Sequence, residues 1–238
     1  MKISKLHFIF HIFQTLTFIF FISGCILSPC AVKFDAGNFL DQQKDKIGNA
    51  TQILLVTDEK FLFFNRPKLY AMGKNGDIWE SAFEPIPAVV GRNGFAAPGE
   101  KKEGDGKTPS GIFPLKTTFG YAETAKTKMP YRQALADDIW VDDVNAGDYN
   151  RWGKKQETLA TSYEVMKRDD DLYQYGIVIE YNTNPVIKGN GSAIFLHIWK
   201  CPGLPTAGCV AVSEENIIKI LQWLDPAASP LIITGIKN

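Results

Sequence analysis

The chain has 238 residues, 45% hydrophobic and 22% charged, enough for one sizeable domain or two small ones with an ordinary buried core. Its 26 basic and 26 acidic residues cancel, so no concentrated basic face speaks for a nucleic-acid partner. The pairs Lys101-Lys102 and Lys154-Lys155 are short and read as solvated surface.

Residues 1–24 read as an export leader and not as part of the fold. Lys2 and Lys5 form a positive start, and Phe8 to Ile22 is apolar. That stretch of about 15 residues is shorter than the ~20 of a membrane span. It ends in Ile22-Ser23-Gly24-Cys25, which resembles the lipobox of bacterial lipoproteins, whose cysteine is acylated after cleavage. On that reading the mature chain begins at a lipidated Cys25 on the periplasmic side of the envelope. Ile26, in place of an aspartate, then implies an outer-membrane tether. Cleavage near Cys30 and an uncleaved anchor are the alternatives. With Cys25 lipidated, Cys30, Cys201 and Cys209 remain in an oxidising compartment, an odd number that leaves one thiol unpaired.

Residues 25–50 carry no lasting apolar period and are expected to be a tether. The fold is expected to begin at Thr51, with Gln52 to Thr57 and Lys60 to Phe64 as a hairpin. Trp79 to Val90 holds short apolar patches broken by Pro85 and Pro87, which predicts edge strand or loop. Gly91 to Pro114 is dense in Gly, Pro and charge and predicts a long ordered, functional loop. In 122–170 the pattern predicts one weak helix near Tyr131 to Ala136 and an acidic, aromatic segment around Trp140 to Trp152. Gln174 to Tyr181 and Ser192 to Trp199 read as strands. Ser213 caps a helix with Ile217, Ile220, Leu221 and Leu224 on one face, Pro226 stops it, and Pro230 to Ile236 is a last strand. Together these predict one mainly-β domain over 51–238, with a sandwich-like sheet arrangement and few short helices.

Outside the leader, which holds His7 and His11, the chain has one histidine, His197, and Cys209 follows twelve residues later. A cysteine nucleophile needs a base, and imidazole exchanges its proton near neutral pH. It also needs backbone amides aimed at a tetrahedral oxyanion, and Gly208 lets the chain turn tightly before Cys209. Equally, His197 reads as a satisfied strand residue and Cys209 as a small buried hydrophobe. Spacing alone leaves both open.

The segment His197-Ile-Trp-Lys-Cys-Pro-Gly-Leu-Pro-Thr-Ala-Gly-Cys209-Val-Ala-Val resembles the active-site segment of the L,D-transpeptidase (YkuD-type) catalytic domain family. Thr108-Pro109-Ser110-Gly111-Ile112-Phe113 is similar to that family's Thr-Pro-x-Gly-x-Phe strand entry. Tyr181 to Pro185 and Gly189 to Ala193 resemble one branch of it. Two departures are Ala211, where many members carry Arg, and a short connection from His197 to Thr206. The resemblance implies acyl transfer on peptidoglycan stem peptides through a Cys209 thioester, without a cofactor. His197 would be the base, and the Gly208 and Cys209 amides the oxyanion site. Thr206 would shape the loop, and Trp199 and Ala207 would border the substrate. Because Ile198 follows His197, a backbone carbonyl is expected to orient the imidazole. A neighbouring imidazolium should lower the Cys209 thiol pKa.

Other signals are weaker. Gly106-Lys107-Thr108 mimics a phosphate-binding loop, but Lys101 stands where that loop needs Gly. His197, Cys201 and Cys209 lack a fourth zinc ligand, and Asp137, Asp138, Asp142, Asp143 and Asp148 lack a calcium-loop pattern, so no metal is expected. Cys201 is open to three readings: unpaired, paired with Cys30, or paired with Cys209. Resolution of the thioester by water, as in an L,D-endo- or carboxypeptidase, is one rival reading. A non-catalytic peptidoglycan-binding module is another. The sequence carries no signal for oligomeric state.

Overall fold

A computed structural model describes residues 34–61 and 64–237. The leader, Cys25 and Cys30 lie outside the described residues. No helix among the described residues is long and apolar enough to cross a membrane.

The protein is mainly β, built on one large mixed sheet with short helices, one of them near the C-terminus. Across the sheet the strands run Val210–Val212, Phe195–Ile198, Tyr175–Ile179, Gly111–Gly120, Leu231–Lys237, Gln52–Asp58, Lys68–Asn75 and Ile78–Ser81. Side chains alternate between faces along each strand, and this sorts the core. Leu54, Val56, Ile177, Leu196 and Val210 fall on one face, covered by Ile217, Ile220 and Leu221 of the helix Glu214–Trp223 and by Leu224 just after it. The opposite face carries two clusters. One is aliphatic around Ile53, Leu55 and Ile233. The other is aromatic around Phe119, Trp140, Tyr173 and Phe195, and it includes Cys209. A small three-stranded sheet, with Asp138–Val141 between Trp152–Lys154 and Tyr163–Val165, supplies Trp140 to the aromatic cluster.

Several local expectations hold. The C-terminal helix is capped by Ser213, whose side chain accepts from Asn216 N–H, and the strands around Tyr175, Phe195 and Leu231 form as expected. Ile78–Ser81 is an edge strand.

Three expectations need correction. Residues 25–50 are not simply a tether, because Ala36–Gln42 and Lys44–Ile47 are helical. Asp35 caps the first helix by accepting from Asn38 N–H at 3.0 Å. Ala36, Leu40 and Ile47 then pack on the aliphatic end of the sheet, with Leu40 fully buried. Three apolar residues among polar ones suffice for a helix when the sheet supplies the rest of the core. The hairpin partner of Gln52–Asp58 is Lys68–Asn75, with Leu55 opposite Tyr70, while Lys60–Phe61 and Phe64–Asn65 form a separate two-stranded tip. That register puts Leu69 and Ala71 on the same face as Leu54 and Val56. Finally, Tyr131–Gln133 is a strand and not a helix, running parallel to Thr118–Gly120. Pro130 precedes it, and Thr118 N–H and Oγ1–H both donate to the Pro130 carbonyl.

Candidate active site

The loop 91–110 is ordered by its own backbone, and Gly111 opens the long strand that follows. Thr108 is fully buried; its Oγ1 accepts from Gly91 N–H at 2.9 Å, and its N–H donates to the Gly94 carbonyl. Gly91 is required here, since a Cβ would lie 2.4 Å from the Gly106 carbonyl oxygen. The loop is tied to the segment before Cys209 by Arg92 N–H to Thr206 O and Thr206 N–H to Val90 O, both 2.9 Å. The Thr-Pro-x-Gly segment thus helps to brace the Thr206-to-Cys209 turn.

Cys209 directly precedes Val210–Val212, which runs parallel to Phe195–Ile198 with His197 beside Ala211. That register sets Cys209, Phe195 and His197 on one face of the sheet. Both candidate side chains are buried, His197 at 6% exposure and Cys209 at 8%. Together with Trp199, Thr206, Ala207 and Gly208 they line a cavity of about 410 Å³, a volume suited to a small ligand or peptide segment.

His197 Nδ1 lies 2.7 Å from the Ile198 carbonyl oxygen. A carbonyl only accepts, so Nδ1 carries the proton and Nε2 keeps the basic lone pair. The orienting group is thus the backbone carbonyl expected from the sequence. Tyr173 packs edge-on to the imidazole, with ring centroids 5.2 Å apart, and edge-on to Phe195. Cys209 Sγ–H donates to the Ala193 carbonyl at 3.2 Å, and Sγ accepts from Phe195 N–H at 3.4 Å. Among the described residues no hydrogen bond joins the thiol directly to the imidazole.

The expected lowering of the thiol pKa is reversed. Burial pushes the Cys209 thiol up to about 12, opposed by the hydrogen bond from Phe195. Burial likewise lowers His197 to about 4, opposed by its bond to Ile198. The apolar, aromatic surroundings disfavour either charge, so the resting pair is neutral thiol and neutral imidazole.

The expected two-amide oxyanion site is also only half open. Gly208 N–H donates to Thr206 Oγ1 at 3.1 Å, and Thr206 Oγ1–H donates to the Cys209 carbonyl at 2.6 Å. Thr206 shapes the turn as expected, but in doing so it occupies the Gly208 amide. Gly208 is needed for close approach, since a Cβ would lie 3.0 Å from the Lys107 carbonyl oxygen. Trp199 borders both this cavity and a neighbouring, more apolar one of about 590 Å³ lined by Pro67, Pro87, Pro202 and Pro205. Cys201 and Cys209 are both free thiols, the first exposed and the second buried.

Sequence reasoning missed several residues on the cavity wall, and Lys101, expected as solvated surface, is instead buried and paired with Asp105 at 2.7 Å. Lys101, Glu103, Asp142, Glu164, Arg168 and Tyr173 come from four separate segments. Burial raises the carboxyl pKa of Asp142 and of Glu164. Arg168 pairs with Glu164 and Asp170, so the wall presents both signs of charge. None of these residues sits in a recognisable motif; only the chain's three-dimensional path gathers them.

Among solved structures, the chain is similar to the helical cell shape determining protein Pgp2 from Campylobacter jejuni, with 17% identity and a TM-score of 0.40. The match covers 83% of this chain and 55% of that one, so the chain spans only about half of that structure's length. No curated protein sequence matches. The family model described as YkuD, L,D-transpeptidase catalytic domain, matches residues 59–233. That span takes in the Thr108-Pro109 loop, His197 and the Thr206-to-Cys209 turn, and the chain belongs to the YkuD family of L,D-transpeptidase catalytic domains.

Proposed function

We propose that this protein is a cysteine-dependent L,D-transpeptidase acting on peptidoglycan stem peptides through a thioester. The observation that carries the reading is the pairing, in one cavity, of buried Cys209 with an imidazole whose Nε2 is free to take a proton. Proton transfer from Cys209 Sγ to His197 Nε2 accompanies attack of sulfur on the carbonyl carbon of an L,D-configured peptide bond. The resulting oxyanion is met by the Cys209 amide, with the Gly208 amide joining once Thr206 Oγ1 turns away. Collapse breaks the C–N bond, and His197 returns the proton to the departing D-alanine amine. An acceptor amine then attacks the thioester, gives up its proton and releases the thiol.

A neutral resting pair suits this sequence. The charged pair forms only as substrate arrives, which protects the buried thiol from oxidants between turnovers. The mixed charge of the wall, with Glu103, Asp142 and Glu164 facing Arg168 and Lys101, matches a zwitterionic peptide better than an apolar ligand. Trp199 and Ala207 border the substrate in this reading. We place the enzyme on the periplasmic side of the envelope, anchored through a lipidated Cys25, on the strength of the leader sequence alone.

The test is intact-mass analysis of the protein mixed with purified disaccharide-tetrapeptide, beside Cys209→Ala. A Cys209-dependent adduct lacking D-alanine, followed by cross-linked dimers, is the expected result. An adduct that yields only shortened peptides would mean that water resolves the thioester, and no adduct at all would leave a binding module.

A further inference from the structure

The reactive thiol is held by a carbonyl whose own position is unusual. Ala193, whose oxygen accepts from Cys209 Sγ–H, has φ of 52°, in the left-handed region that an alanine rarely adopts. Something must hold it there, and the contacts point to one side chain.

Asn150 is buried at 3% exposure and makes four side-chain hydrogen bonds. Its Oδ1 accepts from Ala193 N–H at 3.1 Å and from Trp140 Nε1–H at 2.8 Å. Its Nδ2 donates to the Tyr181 carbonyl at 3.2 Å and to the Asn182 carbonyl at 2.7 Å. Two N–H groups on one side and two carbonyls on the other leave a single amide orientation that satisfies all four. The neighbouring residue reinforces the hold: Tyr149 Oη–H donates to Glu103 Oε2 at 2.5 Å, and Ser192 Oγ–H donates to the same oxygen at 2.7 Å. Residues 149 and 150 therefore clamp residues 192 and 193 directly and through Glu103.

We infer that Asn150 is a positioning residue for the nucleophile, holding Ala193 in its left-handed conformation so that the Ala193 carbonyl fixes the Cys209 thiol. The inference rests on the reading of Cys209 as a nucleophile. Asn150 touches neither the thiol nor the imidazole; it acts through one peptide unit. The Ala193 carbonyl accepts from the protonated thiol and repels a thiolate, so it both fixes the sulfur and favours the neutral form. The other groups acting on the thiol are Phe195 N–H, which donates to the sulfur, His197 and Tyr173 in the same cavity, and the charges of Lys101, Glu164 and Arg168 on its wall.

The test is Asn150→Gly, which deletes the side chain while suiting the positive φ of 57° at position 150. Two readouts on the full chain are compared. One is the Cys209 titration, followed by the ultraviolet thiolate band as a difference from the same chain carrying Cys209→Ala. The other is steady-state turnover of disaccharide-tetrapeptide. In Asn150→Gly the thiol midpoint falls by about one unit, because the bond favouring the neutral form is lost. At the same time kcat falls about tenfold while KM stays within about twofold, because the sulfur is no longer fixed. An easier ionisation joined to slower chemistry is a signature that lowered stability alone does not produce. Asn150→Asp keeps the acceptor for Ala193 N–H but loses the donors to the Tyr181 and Asn182 carbonyls, and its negative charge also opposes thiolate, so its midpoint stays at or above that of the wild type while kcat still falls. A folded Asn150→Gly with an unmoved midpoint, or an Asn150→Asp with a lowered one, overturns the inference. The second variant decides the matter if the first does not fold. The titration needs no substrate, so it tests the positioning role even if the chain turns over no stem peptide.

Discussion

One face of the sheet is divided into two halves that are packed by opposite means. Around Ile53, Leu55 and Ile233 the packing is mostly aliphatic, closed over by Leu40 and Ile47 of the N-terminal helices, with Phe34, Tyr70 and Trp79 at its margin. Around Phe119, Trp140, Tyr173 and Phe195 it is aromatic, with rings meeting edge-on at 5.0 to 5.8 Å. The first half holds one ionisable side chain, Tyr70, whose hydroxyl donates to Glu59 at the margin and is kept protonated by burial. The aromatic half surrounds a thiol and an imidazole and is left open to a cavity. Rigid rings offer a low-polarity floor and keep their shape beside a void, whereas aliphatic side chains would collapse into it. The same burial that stabilises one half thus tunes ionisation in the other.

The comparison breaks most sharply under Cys209→Ala. Turnover should fall at least about a thousandfold, while the midpoint of urea unfolding at pH 7 moves little. Equal turnover in mutant and wild type would remove Cys209 from the chemistry. The converse change is Leu40→Ala, which should cost about 2 to 5 kcal/mol of stability. It should leave the Cys209 titration unmoved, and a shifted titration would show that the halves are coupled.

Protonation sharpens the contrast next. His197 is held near 4, below its unfolded value of about 6.5, so the unfolded chain takes up a proton first as pH falls. Its stabilisation is present above about pH 6.5 and is lost towards 4, roughly 2 kcal/mol by pH 5. Cys209 is held near 12, above its unfolded value, so the unfolded chain releases its proton first as pH rises. That stabilisation is present below about pH 9 and is lost above it, roughly 1.4 kcal/mol by pH 10. Urea unfolding of the wild type should lose these amounts relative to His197→Gln on the acid side and Cys209→Ala on the alkaline side. Parallel pH profiles would mean that the pair is solvated. The smallest expected effect is Asp35→Ala, about 1 kcal/mol from loss of the cap on the helix Ala36–Gln42. An unchanged melt would show that this helix contributes little to the aliphatic half.

Legibility in the sequence followed the range of the interaction. The helix at Glu214 is readable because its cap and its apolar stripe lie together between Ser213 and Leu224. The strands around Tyr175 and Phe195 were readable because each is a short apolar run. The helix Ala36–Gln42 was not, since its apolar side chains matter only against Ile53, Leu55 and Trp79, which are distant in sequence. At the strand Tyr131–Gln133 a three-residue pairing with Thr118–Gly120 overrode a weak local preference. The direction of the thiol pKa shift is illegible for the same reason, because spacing says nothing about burial.

By itself the sequence determined the mainly-β class, the family through its motif resemblance, and His197 and Cys209 as the candidate pair, because these rest on residue type and local pattern. The tertiary structure alone decided that the pair rests uncharged, that Thr206 occupies the Gly208 amide, and that Asn150 holds the Ala193 carbonyl on the thiol. Each of these depends on groups brought together from separate strands and loops, where burial and hydrogen bonding, and not residue identity, set the energy of a charge.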